Sequence, residues 1–171
     1  MTRHEATIDK HWEKMGIANL YVTRRYDNGF TDGAFFLVDL FCLGVKDAFY
    51  APDMTADEER EILTANFPPE SREAIHPACA KKLIEEAIAY AKSLGFAPPR
   101  NFRKARKILS GIDASLCPRE FTFGCEGRPL YIRGESDSEQ RVDRVLAILE
   151  RQCGPDGFGY ENPGEEDDES Y

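Results

Sequence analysis

The stretch Ala34-Phe35-Phe36-Leu37-Val38-Asp39-Leu40-Phe41-Cys42-Leu43 carries a single polar side chain, Asp39, in an otherwise apolar run. Such a run reads as a strand buried on both faces and central to its sheet. Immediately upstream, Asp27-Asn28-Gly29-Phe30-Thr31-Asp32-Gly33 is dense in turn residues. Before that turn, residues 18–26 alternate, with Leu20, Val22 and Arg24 on one side and Tyr21, Thr23 and Arg25 on the other. The two strands and their turn predict a hairpin.

Working outward, residues 7–15 read as a short helix ended by Gly16. Downstream, Thr55-x-x-Glu58 is a capping-box start, and Pro68-Pro69 stops the helix it opens. Pro77 stands at a first helical position, and Ala80, Leu83, Ala87, Ala91 and Leu94 mark one face of a helix ending at Gly95. A third helix follows Pro98-Pro99, with Phe102, Ala105, Leu109 and Ile112 inward. Residues 120–123 and 129–133, around Gly124-Cys125-Glu126-Gly127, predict a second hairpin. The last helix opens at Ser136-x-x-Glu139, buries Val142, Val145, Leu146 and Leu149, and stops at Gly154. Hairpins and helices are grouped rather than alternated. The expectation is therefore an α+β domain in which two hairpins form a small, mostly antiparallel sheet packed against helices.

The chain has 171 residues, enough for one domain with a sizeable core. Its net charge of −9 is concentrated at one end: six acids and no base lie in residues 161–171. Without those six, 25 acids face 22 bases. We read residues 1–160 as one domain and residues 161–171 as an acidic flexible tail, with mobility beginning at Pro155. The balanced domain weighs against nucleic acid as a partner. No apolar run spans a membrane and no secretory segment opens the chain, which reads as cytoplasmic without membrane association. Cys42, Cys79, Cys117, Cys125 and Cys153 are scattered and odd in number, the pattern of buried free thiols rather than of a disulfide framework.

Several blocks resemble, in the same order, those of a family of uncharacterised bacterial proteins. They are Gly16-Ile17-Ala18-Asn19-Leu20-Tyr21-Val22-Thr23-Arg24-Arg25, the run from Phe36-Leu37-Val38-Asp39 to Asp47-Ala48-Phe49-Tyr50, Ala89-Tyr90-Ala91 with Leu94-Gly95-Phe96, and Phe123-Gly124 with Gly127-Arg128-Pro129-Leu130-Tyr131-Ile132. The resemblance covers most of residues 12–160. It implies a bacterial source and a module that stands alone or is joined to other domains, and it implies no chemistry.

Candidate site residues follow from the residues themselves. Asp39, buried in an apolar strand, demands a partner. Either it pairs with Arg24 or Arg25 of the neighbouring strand, or it is an acid, base or metal ligand. Lys46 and Asp47 end the same strand, where they either polarise a phosphate or carbonyl or simply make a turn. His76-x-x-Cys79 has ligand spacing and Cys117 and Cys125 offer more sulfur, but no paired Cys-x-x-Cys exists, and we expect no metal. No phosphate-binding or dinucleotide glycine loop and no Gly-x-Ser-x-Gly occurs, so no cofactor is expected. Arg100, Arg103, Lys104, Arg106 and Lys107 crowd one helix, either a solvated outer face or a binding face for phosphates, for an acidic ligand or for the chain's own tail. These features favour a non-enzymatic accessory or adaptor protein working through protein contacts. The alternative is a metal-dependent or general-base enzyme acting on nucleic acid or another phosphate substrate through Asp39, Lys46 and Asp47.

Overall fold

The structure, a computed structural model, describes residues 2–164; the acidic segment 165–171 lies outside them. The first element is β1 (Thr2–Asp9), followed by the short helix α1 (Trp12–Met15). The helix expected over residues 7–15 is thus confined to its last turn. Ala6 and Ile8 alternate into the core, and Thr2 to Ile8 pair antiparallel with Tyr26 to Leu20, so tertiary pairing overrides the local pattern. Gly16, at φ 71°, ends α1 as expected.

The hairpin is β2 (Ile17–Tyr26) and β3 (Thr31–Asp39), in antiparallel register. Here the apolar run of residues 34–43 divides. The Asp39 carboxylate accepts the backbone N–H groups of Phe41 and Leu43 at 2.9 and 3.0 Å. Those two N–H groups are thereby taken out of any ladder, and the chain reverses into β4 (Gly44–Met54), a strand not anticipated from the sequence. Gly44 makes this reversal possible. Its φ is 68°, and a Cβ there would stand 2.9 Å from the Ala87 carbonyl oxygen.

Helix α2 (Ala56–Asn66) carries the capping box formed by Thr55 and Glu58. A 3₁₀ turn (Pro69–Ser71) leads to β5 (Arg72–Ala74), and α3 (Pro77–Ser93) begins at Pro77 with the His76 ring accepting the Ala78 N–H. The basic segment is α4 (Phe102–Ala105) run into a 3₁₀ turn (Arg106–Leu109) rather than one helix. Ala105, Ile108, Leu109 and Ile112 are buried.

Only half of the second hairpin forms. The strand β6 (Leu130–Ile132) exists, but residues 120–123 are not a strand. Phe121 and Phe123 instead pack on the core from a loop, Phe123 stacking on Tyr90 with centroids 5.6 Å apart. A single bridge joins Cys125 and Arg128. Helix α5 (Glu139–Cys153) is capped by Ser138, two residues later than expected, and buries Val142, Val145 and Leu149. The stretch expected to be mobile from residue 155 contains β7 (Gly159–Glu161), which pairs parallel with β6.

The result is α+β: a five-stranded antiparallel sheet of order β4-β3-β2-β1-β5, with a parallel β6-β7 pair beside it. One sheet face, with Ile8, Leu20, Val22, Phe36 and Val38, packs on α3 and the basic segment. A second cluster of Cys42, Leu43, Leu94, Tyr131 and the buried side of α5 attaches at the β3–β4 turn. Cys79 of α3 and Cys117 are bonded as a disulfide, their Cα atoms 4.9 Å apart, while Cys42, Cys125 and Cys153 are free. The expectation of five free thiols is corrected here. The 3₁₀ turn Ala114–Leu116 packs on α3 and carries Cys117 to its partner, a proximity that a sequence separation of 38 conceals. No helix among the described residues is long and apolar enough to cross a membrane.

Candidate functional site

Strand alternation places one row of side chains across the sheet face opposite α3. Thr7, Tyr21, Phe35 and Phe49 are register neighbours on β1, β2, β3 and β4. Tyr21 stacks on Phe35 with ring centroids 4.5 Å apart, and Phe35 lies 6.4 Å from Phe49. The next row toward the β3–β4 turn is Asn19, Leu37 and Asp47.

Cover of this face is uneven. Helix α2 is anchored over its Arg25 end: the Arg25 guanidinium donates to both oxygens of Glu59 at 3.0 and 3.1 Å and to Glu5 at 2.7 Å. Under that anchor Tyr21 is 3% exposed, whereas Phe49 is 55% exposed and Phe35 and Leu37 are half-buried. Burial and the nearby Glu59 carboxylate push the Tyr21 hydroxyl well above its ordinary range. The uncovered end forms a cleft of about 340 Å³ between β3–β4 and the end of α2, where Asn66 and the buried Phe67 close it.

The polar groups of this cleft are held by structural bonds. Asp47 accepts the Asn101 side-chain N–H at 2.7 Å and the Ala48 backbone N–H at 2.9 Å. Asn19 donates to Asp9 from both its backbone and its side chain, and Asn66 donates to the Ile62 carbonyl. Asp47 is the one ionisable group among the described lining residues. Such a surface offers apolar contact with a polar rim and carries no acid–base pair for chemistry.

Of the residues singled out in the sequence, Asp39 and Lys46 lie within electrostatic reach of each other, while Asp47 is turned away from Lys46. Asp39 pairs with neither arginine. Arg24 stands opposite Asp32 in the ladder and donates to the carbonyls of Lys107 and Ser110, while Arg25 serves Glu5 and Glu59. The Asp39 carboxylate instead caps its own turn. Burial raises its pKa, and the Leu43 and Phe41 N–H groups and the Lys46 charge offset this in part. Lys46 and Asp47 point apart. The ladder pairs Leu37 with Asp47 and Val38 with Val45, so Lys46 is the extra residue of a β-bulge. Asp47 faces the open cleft and Lys46 turns toward α5. Arg100, Arg103, Lys104, Arg106 and Lys107 are all exposed, with no ion pair among the described residues. Their proposed contact with the acidic segment falls outside the described residues beyond Gly164. Among the described residues no group of three or more His, Cys, Asp or Glu is placed to hold a metal, and two of the candidate sulfur ligands are bonded to each other.

Two features escaped the sequence reading. Phe49 was hidden because the bulge at Lys46 breaks the period of two that would have revealed β4 as a strand with an aromatic outer row. Asp137, buried, accepts from the Tyr131 hydroxyl at 2.8 Å and the Gly134 N–H at 2.9 Å and pairs with Arg141 at 3.2 Å. A carboxylate next to a helix start was its signal. Comparison with protein families, with curated proteins and with solved structures finds no match to this chain.

Proposed function

We propose that this protein is a non-enzymatic binding module that docks an apolar segment of a partner protein on the open end of its second sheet face. The observation that carries this reading is Phe49, exposed at 55% in continuity with Phe35 and Leu37. A contiguous apolar surface with a polar rim is the form protein interfaces take, and aromatic anchors supply much of their energy. The occupant is a segment with basic flanks. Asp47 rims the cleft, and the first half of α2, further along the same face, carries Asp57, Glu58 and Glu61 beyond the Glu59 that Arg25 neutralises. That balance disfavours nucleic acid. The Asp39 carboxylate is taken up by the Phe41 and Leu43 N–H groups and does not line the cleft that Asp47 rims, which weighs against the enzyme alternative.

The test is photo-crosslinking in cells with benzoylphenylalanine at position 49, beside a control at exposed Arg151. A discrete adduct at 49 alone is expected, its crosslinked peptide carrying apolar residues flanked by Lys or Arg. The purified partner should bind at least tenfold more weakly to Phe49→Arg, with the melting transition of the variant unchanged. Equal adducts at both positions, or a crosslinked dimer of this chain alone, overturn the reading.

A further inference from the structure

The row of side chains next to the Phe49 row runs Asp47, Leu37 and Asn19 across β4, β3 and β2, in ladder register. The β1–β2 register, in which Ile8 pairs with Leu20, continues it to Asp9. The Asn19 side chain donates to Asp9 at 3.1 Å and joins the row there. A second cavity, of about 300 Å³, lies at the Asp9 end, and Lys10, His11 and Glu70 also line it. It shares Asn19, Asn66 and Phe67 with the Phe49 cleft, so the two form one groove past the end of α2.

The groove has Leu37 in its middle and an aspartate toward each end. Neither aspartate makes an ion pair within 4.0 Å among the described residues. Their bonds come from amides: Asp47 accepts the Asn101 and Ala48 N–H groups, both on Oδ1, and Asp9 accepts two N–H groups of Asn19. The nearby cations leave both charges standing. Arg72 is opposite Asp9 in the ladder but lines the space beside Arg25 and Glu59. Lys46 is turned toward α5, and exposed Arg100, beside Asn101, pairs with neither aspartate. Lys10 lines the same cavity as Glu70, and those two offset each other in net charge.

Spacing decides what fits. Neighbouring strands lie about 4.8 Å apart, so the three steps from β4 to β1 separate the two aspartates by about 14 Å. An extended chain advances about 3.3 Å per residue, and its residues i, i+2 and i+4 point to one side. Its residues i and i+4 thus stand about 13 Å apart, while a helix needs about nine residues to cover the same distance. We propose that the groove binds an extended segment of a partner protein of the form cation-x-apolar-x-cation. The apolar side chain lies on Leu37, next to Phe49, and a Lys or Arg meets each of Asp47 and Asp9. The proposal rests on the reading of the Phe49 face and adds to it the conformation of the occupant and the spacing of its charges.

The test selects phage-displayed random linear peptides of about twelve residues, long enough for either register, on the purified full chain, with counter-selection on Phe49→Arg. Recovered peptides should carry Lys or Arg at positions i and i+4 around an apolar residue at i+2. Asp47→Asn should abolish the preference at one cationic position and Asp9→Asn at the other. With the parent protein, whose fold is unaltered, replacing either cation of a recovered peptide by Gln should weaken binding about threefold or more, and so should moving it by one residue. Phe49-dependent peptides without the paired cations, or with cations about nine residues apart as a helix requires, overturn this proposal and leave the reading of the Phe49 face standing. Selection that yields no Phe49-dependent peptide overturns both.

Discussion

Asp39 and Asp137 are two carboxylates with opposite thermodynamic signs. Asp39 has a raised pKa: burial outweighs its two N–H donors, so its contribution to stability is present at acid pH and is lost as pH rises through the raised value. At Asp137 burial also pushes upward, but the Gly134 N–H, the Tyr131 hydroxyl and the charges of Lys46 and Arg141 together win. The Asp137 pKa is therefore lowered below 3.8, and its contribution is present above that value and is lost as pH falls through the lowered one. Asp137→Asn is expected to cost about 2–3 kcal/mol above pH 5, since hydrogen bonds to a charged group are at stake. The cost should shrink steadily on acidification, as read from urea unfolding of parent and variant across pH. A difference that is independent of pH would remove the carboxylate from this role. Asp39 was legible in the sequence as a residue needing partners. The partners were not, because they are backbone N–H groups two and four positions onward, made available only by the turn that Asp39 itself stabilises.

At the scale of elements, the helices α2, α3 and α5 were legible because they are opened by local chemistry: a capping box, a proline at the first position, a serine cap. The strands were harder. β1 lacks flanking turn signals, and β4 hides its alternation behind a bulge. The reversal between β3 and β4 depends on Gly44, whose backbone lies against Ala87 and Ala91 of α3. Gly44→Ala should destabilise by about 2 kcal/mol or more, because a positive φ and an approach of 2.8 Å to the Ala91 side chain both oppose a Cβ. Adding Ala91→Gly should recover part of this loss, which thermal unfolding of the single and double variants will read. No recovery would show that the strain is purely in the backbone.

For the molecule as a whole, the Cys79–Cys117 bond closes 38 residues of chain. Thiol titration of denatured, unreduced protein should find three free thiols, and Cys117→Ser should cost about 2–4 kcal/mol through the denatured-state entropy the bond removes. Five titrating thiols would show the pair reduced. The α+β class, the main helices and the charge asymmetry were settled by sequence alone, because periodicity, caps and composition act over a few residues at a time. Which sheet face is left open, which cysteines meet, and where Lys46 and Asp47 part depend on strand register and on the anchoring of α2. Those are contacts between residues far apart in the chain, and a one-residue bulge or a single strand-to-helix ion pair is enough to redirect them, so only the tertiary structure decided them.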